Sequence, residues 1–299
     1  MSKNLSNLSG RKGLQHNLYE LLGNSAEANE GTPNPKDLKR LAKDFLMGRA
    51  NTYGAASFYD FLKPENKGKK VYYCNGSSCM TAGTQNKVMD KLKSNFKEEE
   101  IGHICCLGRC HENSSFHYEG KNYSGDSINQ IDEIIQQKTK VADAYTIGHS
   151  GPQILTGNDL TLDEVKNTLK DIFRKGRETI LSDIKASGLR GRGGAGFPIG
   201  FKLESAKNTP SDSRFIVCNA DEGDPGAYSD RYLMEFQPMK LLLGMLIAGY
   251  VVGAEWGVLY IRFEYPESLE IINKAIETLE KENLIGENIL GSDFSYFFK

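Results

Sequence analysis

The chain has 299 residues, 39% hydrophobic and 25% charged, which allows a core and excludes a disordered or collagen-like polymer. Lys plus Arg number 37 and Asp plus Glu 39, a net charge of −2 that supplies no global field for nucleic acid or an anionic membrane. The longest uncharged apolar run, residues 241–254, is shorter than the ~20 residues a bilayer requires and reads as a buried helix. No direct membrane insertion is expected. Lys3, Arg11 and Lys12 are not followed by an apolar stretch, so a secretory signal is not expected either. The length predicts about two domains.

In chain order, Leu38, Leu41, Phe45 and Leu46 fall on one face of a helix that opens at Pro35. Residues 55–62 predict a second short helix, closed by Pro64 and the polar run 67–70. Residues 70–74 read as a strand, 85–96 as a helix and 101–105 as a second strand. Residues 116–123 form a predicted hairpin turning at Glu119-Gly120, and 126–137 a closing helix. The polar stretch 138–157 is the expected linker. Beyond it, 162–173 and 177–186 are amphipathic helices, the latter stopping at Gly188. A glycine-dense loop spans 188–200. Residues 214–218 predict a buried strand, 230–254 a helix interrupted at Pro238, 258–263 a strand and 266–281 a helix. Alternating strands and helices predict α/β architecture with a mostly parallel second sheet. The apolar run 294–298 reads as a strand expected to leave an exposed edge or patch.

Five of the six cysteines lie between 74 and 110, and the sixth, Cys218, stands alone. A disulfide scaffold spreads cysteines through a short secreted chain, so this clustering points to a metal in a reducing compartment. The spacing is Cys74-x4-Cys79, then Cys106-x3-Cys110, each pair where a predicted strand gives way to a loop. Four thiolates suit a [2Fe–2S] cluster. Structural zinc also accepts such spacings, and a set of buried free cysteines is the bland alternative. Cys105, the last residue of its strand, should point away from Cys106 and is read as core. His103, His111 and His117 are read as structural or surface residues.

Gly191-x-Gly193-x-x-Gly196 matches the dinucleotide fingerprint in form, but the preceding residues read as helix where that motif needs a strand. A Walker loop also fails, because Phe201 separates Gly200 from Lys202. What survives is a run of backbone N–H groups flanked by Arg190, Arg192 and Lys202, an anion-binding concavity suited to a nucleotide or flavin phosphate. The lone Arg-Gly-Arg-Gly-Gly carries no net basic context, and no nucleic-acid partner is expected. Cys218-Asn-Ala-Asp221-Glu-Gly-Asp224-Pro-Gly follows a strand and gathers three carboxylates at its carboxyl end, where α/β proteins bind ligands. Taken alone it is an ordinary acidic turn.

Together, Gly188-Leu-Arg-Gly-Arg-Gly-Gly-Ala-Gly-Phe-Pro with Lys202, the 218–226 segment, and Tyr260-Ile-Arg-Phe-Glu-Tyr-Pro resemble the FMN- and NADH-binding subunit of respiratory complex I. The N-terminal half, with Cys74-x4-Cys79 and Cys106-Leu-Gly-x-Cys110, resembles its thioredoxin-like [2Fe–2S] partner. Joined in one chain they are similar to the diaphorase subunit of NAD-linked hydrogenases and formate dehydrogenases. The resemblance implies a thioredoxin-like [2Fe–2S] domain with N-terminal helices over 1–137, a linker over 138–157, and an incomplete FMN/NADH-binding flavodehydrogenase domain over 158–299. It implies that Cys74, Cys79, Cys106 and Cys110 hold the cluster. Gly191, Arg192, Gly193, Gly194 and Lys202 would hold FMN phosphate or ring edge, with Asn219 and Asp221 also on the flavin. Phe197, Glu222 and Asp224 would face NADH, Asp224 replacing the family's glutamate.

The sequence departs from the family where Leu203-Glu-Ser205 replaces Trp-Ser-Phe. The family's second flavin segment, ubiquitin-like domain and [4Fe–4S] cysteines would lie beyond residue 299, and a truncated flavoprotein is the expectation. The implied role is NADH oxidation, with electrons passed to other iron–sulfur subunits of a hydrogenase, formate dehydrogenase or complex I-like assembly. The implied location is cytoplasmic, in solution or peripheral on the cytoplasmic face of a membrane. The rival reading is a non-catalytic assembly module carrying zinc or a cluster.

Overall fold

The protein is represented by a computed structural model, which describes residues 17–138 and 147–299. The predicted linker lies partly outside them, at 139–146. The described residues fall into two compact units, one holding 17–138 with Asp224–Ala227 and the other the rest.

The first unit opens with α1 (Leu18–Glu27), α2 (Pro35–Asp44) and α3 (Arg49–Phe58). Asn17 and Asn34 cap the first two, their side-chain oxygens accepting from the N–H groups of Glu20 and Lys36 at 2.8 and 2.9 Å. The apolar faces meet in a cluster of Leu18, Leu22, Leu41 and Ala56. The third helix starts six residues before the predicted 55 and stops at Phe58. Tyr59 is extended, and a separate 3₁₀ turn, Asp60–Leu62, follows it. The stretch from 49 is rich in Ala, Thr and Gly, so it forms a helix without an apolar period to announce one.

Next come β1 (Val71–Cys74), α4 (Ser77–Thr81), α5 (Gln85–Lys93), β2 (Ile101–Ile104), β3 (Phe116–Tyr118), β4 (Lys121–Tyr123) and α6 (Ile131–Ile135). The predicted helix over 126–137 is a 3₁₀ turn, Gly125–Gln130, running into the short α6. The sheet order is β2-β1-β3-β4, with β1 and β2 parallel and the β3–β4 hairpin antiparallel. Alternation along β1 sends Val71 and Tyr73 to one core with Val88, Leu92 and Ile128, and Tyr72 and Cys74 to another with Phe61, Ile104 and Leu107. The edge strand β2 has its own cover. The buried Asn66 amide donates to the His103 carbonyl at 3.0 Å and accepts from the His103 N–H at 3.3 Å.

The second unit runs α7 (Leu162–Lys175), α8 (Arg177–Ala186), α9 (Ile199–Asn208), β5 (Phe215–Ala220), α10 (Ser229–Phe236), α11 (Pro238–Val252), β6 (Trp256–Ile261), α12 (Pro266–Lys281) and β7 (Phe297–Phe298). The three strands are parallel, in the order β5-β6-β7. Helices α7, α8, α11 and α12 share one large core, and α11 takes most of the apolar 241–254 run into it. No single described helix is long and apolar enough to cross a membrane; the α10–α11 pair qualifies only jointly and is bent by 96°.

Two predictions are corrected. The strand at 214–218 is not fully buried. Ile216, Cys218 and Ala220 face the core, whereas Phe215, Val217 and Asn219 lie on the other, exposed face, Val217 at 63%. Only one face of this sheet is covered by helices. Conversely, the 294–298 run does not form an exposed patch, because Phe294 and Tyr296 are in the core. Its last residues do form an edge, β7. The Tyr296 ring fills a slot that exists because Gly249 on α11 and Gly257 on β6 lack side chains; a Cβ at either would overlap it.

The Tyr296 hydroxyl is fully buried and has no hydrogen-bond partner among the described residues. Burial holds its pKa well above the ordinary phenol value. Desolvating an unpaired hydroxyl is unfavourable, so Tyr296→Phe should stabilise this unit by about 1 kcal/mol. Gly249→Ala should destabilise it by about 1–3 kcal/mol through overpacking. The protein's single tryptophan, Trp256 on β6, provides a fluorescence probe for denaturant melts of both variants. A lower midpoint for Tyr296→Phe would contradict the assignment.

Candidate functional site

Two constellations stand apart, one in each unit. In the first, the parallel register of β1 and β2 sets Cys74 opposite Ile104, so the loops leaving both carboxyl ends are neighbours. Cys74 ends β1, Cys79 sits in α4, and Cys106 and Cys110 lie in the loop after β2. The Asn75 N–H donates to the Ile104 carbonyl at 2.9 Å, tying the loops together. Gly76 does more. A Cβ there would overlap the carbonyl oxygen of Cys105, so only glycine lets the backbones approach this closely.

The result is a string of thiol contacts. Cys74 is hydrogen-bonded to both Cys106 and Cys79, and the sulfurs of Cys106 and Cys110 are 3.6 Å apart. That separation is close to the ~3.8 Å imposed by tetrahedral coordination with ~2.3 Å metal–sulfur bonds. The Gly108 N–H donates to the Cys106 sulfur at 3.4 Å. Thiols packed this way cannot all ionise. Hydrogen bonds to Cys106 and then Cys79 hold the Cys74 proton on far above the thiol range, and the bond to Cys106 raises Cys110 likewise. The hydrogen bond from Cys74 lowers Cys79 to about 6. Four thiolates here need positive charge among them, as two irons supply. Among the described residues no three His, Cys, Asp or Glu side chains converge as a lone metal ion would require.

Cys105 is corrected. It is exposed, not core, because alternation from the buried Ile104 to the buried Cys106 turns the residue between them outward. Its N–H donates to Asp60 Oδ2 at 2.6 Å. The His117 ring bonds Asn122 at 2.7 Å, and His103 lies 3.8 Å from Glu65, so neither joins the sulfur group.

In the second unit the glycine loop joins α8 to α9. It closes on itself: the Gly191 N–H donates to the Phe197 carbonyl at 2.8 Å, the Ile199 N–H to Leu189 at 2.9 Å, and Arg190 Nε to Gly196 at 2.7 Å. Arg190 therefore clasps the loop. The N–H groups of residues 192–196, which include Arg192, Gly193 and Gly194, have no partner among the described residues. The loop feeds α9, whose first turn has no side-chain cap. Gly200 lets that turn rest against α8, since a Cβ there would meet Lys185 at 2.5–3.1 Å. Lys202, on the same turn, is exposed and forms no ion pair among the described residues. Phe197 is 58% exposed. Unpaired N–H groups, a helix N-terminus and two uncommitted cations make a site for an anion such as phosphate.

The acidic turn is more structural than its composition suggests. The Glu222 carboxylate accepts from the N–H groups of Ser229 and Asp230 at 2.9 and 3.1 Å and from the Ser229 hydroxyl, capping α10. Arg262 donates to the Glu222 carbonyl at 2.9 Å and pairs with Glu264 at 3.2 Å. Asn219 is exposed at the carboxyl end of β5 and accepts from the Asp221 N–H at 3.3 Å. Asp224 is exposed. No hydrogen bond or ion pair joins the glycine loop to this turn among the described residues.

Sequence reasoning missed two anchors. Asp159 caps α11, accepting from the Met239 and Lys240 N–H groups at 2.9 and 3.1 Å. Arg214 donates to the Ala206, Lys207 and Thr209 carbonyls at the end of α9. No local motif announces the Asp159 contact, 80 residues away in sequence.

Comparison with known proteins matches the two segments that carry these constellations. Residues 8–139 match the family model of the thioredoxin-like [2Fe–2S] ferredoxin, and residues 184–293 that of the Nuo51 FMN-binding domain. The NADP-reducing hydrogenase subunit HndC of Solidesulfovibrio fructosivorans is 48% identical over 113 residues, 38% of this chain and 23% of that protein. The mitochondrial NADH dehydrogenase (ubiquinone) flavoprotein 1 of Dictyostelium discoideum is 43% identical over 129 residues, 42% of this chain and 27% of that protein. A crystal structure of an NAD+-reducing [NiFe]-hydrogenase in the H2-reduced state shares the fold, with a TM-score of 0.70 at 23% identity over 90% of this chain and 49% of that one. The matches thus span about a quarter to a half of each relative.

Cys106→Ser should abolish the visible chromophore of anaerobically reconstituted protein, and Cys105→Ser should keep it, with about two irons per chain. Gly76→Ala should lose most of its iron, because it parts the two loops while leaving every thiol in place. Iron analysis with absorption spectroscopy reads all three. Full iron retention in Gly76→Ala would refute the close-approach argument.

Proposed function

We propose that this chain, whose first segment belongs to the thioredoxin-like [2Fe–2S] ferredoxins and whose second belongs to the Nuo51 FMN-binding domains, is an NADH-oxidising electron-transfer subunit. The observation that carries the reading is the unpaired N–H run of residues 192–196 beside exposed Lys202, on a chain that also gathers four cysteines. When bound, FMN takes hydride from NADH and releases electrons singly, and the [2Fe–2S] cluster carries one at a time.

The chain's own part is binding and orientation. Backbone N–H groups from Gly193, Gly194 and their neighbours donate to the FMN phosphate, with Gly191 closing the loop beneath them. Arg192 and Lys202 balance its charge. Asn219 and Asp221 present amide and carboxylate at the carboxyl end of β5, toward polar edges of the flavin. Phe197 offers a ring face to the nicotinamide nucleotide. Glu222 serves that site by holding the turn and the start of α10, and Asp224 presents a carboxylate to NADH. Cys74, Cys79, Cys106 and Cys110 act as thiolate ligands. The physiological partners are other iron–sulfur subunits of a hydrogenase, formate dehydrogenase or complex I-like assembly, in the cytoplasm.

Titration of the full 299-residue chain with FMN, followed by quenching of flavin fluorescence, tests this reading. Lys202→Ala should raise Kd about tenfold, the loss of one charge-assisted hydrogen bond to phosphate. Glu222→Gln should weaken flavin binding less and lower the melting temperature more. In the presence of FMN, NADH should bleach the visible absorbance of the reconstituted cluster. Equal FMN affinity in the native chain and Lys202→Ala would refute the phosphate assignment.

A further inference from the structure

Ser115 stands where the β3–β4 hairpin meets the cysteine end of the first sheet, and it touches two of the four candidate ligands. The antiparallel register that pairs Tyr73 with Phe116 brings Ser115 beside Cys74, and its carbonyl accepts from the Cys74 N–H at 2.9 Å. Its own N–H and its hydroxyl are hydrogen-bonded to the Cys79 sulfur, and both favour the thiolate. Ser115 and Cys79 are each only 2% exposed, so water does not compete for that sulfur. The loop is pinned there from its other side. The Ser114 N–H donates to Thr84 Oγ1 at 3.2 Å, and the Thr84 N–H donates to the Cys79 carbonyl at 3.3 Å. The chain reaches Ser115 through two successive left-handed residues, Asn113 and Ser114, at φ of 59° and 49°, a conformation unfavourable for serine.

A serine hydroxyl has one proton to donate, and here it has two acceptors. The Asn113 carbonyl lies at 3.3 Å, long for an O–H···O bond. A thiolate at Cys79 is the stronger acceptor, because a charge-assisted hydrogen bond is roughly twice as strong as a neutral one. The negative charge on a ligating sulfur grows when its metal gains an electron, so a donor fixed on that sulfur favours the reduced form.

We propose that the Ser115 hydroxyl donates to the Cys79 sulfur of the bound cluster and raises the cluster's midpoint potential. This rests on the reading that the four cysteines hold a [2Fe–2S] cluster. The step concerned is the gain of one electron, supplied in the test by dithionite; the serine keeps its proton and no ligand is exchanged. Ser115 is a positioning residue, acting on the metal only through Cys79. Its backbone N–H remains in every variant, so the hydroxyl can be removed alone.

The test is a redox titration of the full chain with reconstituted cluster, poised with dithionite and mediator dyes and followed by visible absorption and EPR. Ser115→Ala should keep the [2Fe–2S] spectrum and lower the midpoint by about tenfold in the reduction equilibrium, or ~59 mV for one electron. Ser115→Thr, which keeps the hydroxyl, should stay within about threefold of native, whereas the isosteric Ser115→Val should fall with alanine. Crowding by the extra methyl would move threonine and valine alike. An unchanged midpoint in Ser115→Ala, with the cluster intact, overturns the proposal, as does a threonine variant that falls as far as valine. Loss of the cluster from Ser115→Ala also overturns it, by making the serine structural. If the native chain gives no [2Fe–2S] spectrum at all, the ligand assignment itself fails, and the tuning role falls with it.

Discussion

Two backbones come closer at Gly76 than any side chain would permit, and the first unit is organised around that approach. The carbonyl of Cys105 occupies the volume where a Cβ would stand. Parallel pairing of β1 and β2 brings both loop origins to the same end of the sheet, but pairing alone leaves them a strand spacing apart. The glycine closes the remaining distance, and the Asn75–Ile104 hydrogen bond holds it closed. Only then do Cys74 and Cys79 on one side meet Cys106 and Cys110 on the other. The hairpin behind β1 contributes to the same end, since the Cys74 N–H donates to the Ser115 carbonyl at 2.9 Å. Crowded thiols are a poor arrangement for a metal-free protein, and their mutual hydrogen bonds resist further ionisation.

The second unit solves a different problem, that of leaving one helix start open while closing others. Glu222 and Asp159 send carboxylates to the first turns of α10 and α11 from outside those helices. Helix α9 receives no such cap, and its glycine loop keeps its N–H groups unpaired by folding Arg190 onto a carbonyl instead. Composition alone puts three carboxylates near the proposed flavin loop. Geometry distinguishes two of them: Glu222 is a cap, and Asp221 sits in a turn with Asn219.

Much of this was legible in the sequence, for local reasons. The strand at 71–74 and the helices at 177–186 and 266–281 carry their periodicity and end signals within a few residues, and they form where expected. The cysteine spacing pointed to a metal, and the structure brings Cys74, Cys79, Cys106 and Cys110 into one string of contacts. The failures share a cause in distance along the chain. Cys105 was expected in the core because it should point away from Cys106, and it does point away, but outward, since what packs against Ile104 decides which face is covered. The strand at 215–220 looked doubly buried because its residues are apolar, yet which faces are covered is decided by helices far away in sequence. The cap that Glu222 gives α10 was equally hidden, because nothing in its neighbourhood reveals that the helix begins seven residues later.

The amide of Asn66 behaves toward β2 as one residue of an absent strand would, offering an acceptor and a donor to the two backbone groups of His103. A sheet edge ordinarily advertises such groups to any extended polypeptide that passes. By occupying them with a side chain held by the Asp60 carbonyl at 2.8 Å, the protein withdraws that invitation without a charged residue or a proline. Gly102, where a Cβ would run into the same amide at 2.5 Å, leaves the room it needs. The edge nearest the cysteines is thereby closed to intermolecular β-pairing. The two backbone groups that would start such a pairing beside the cysteines are already taken.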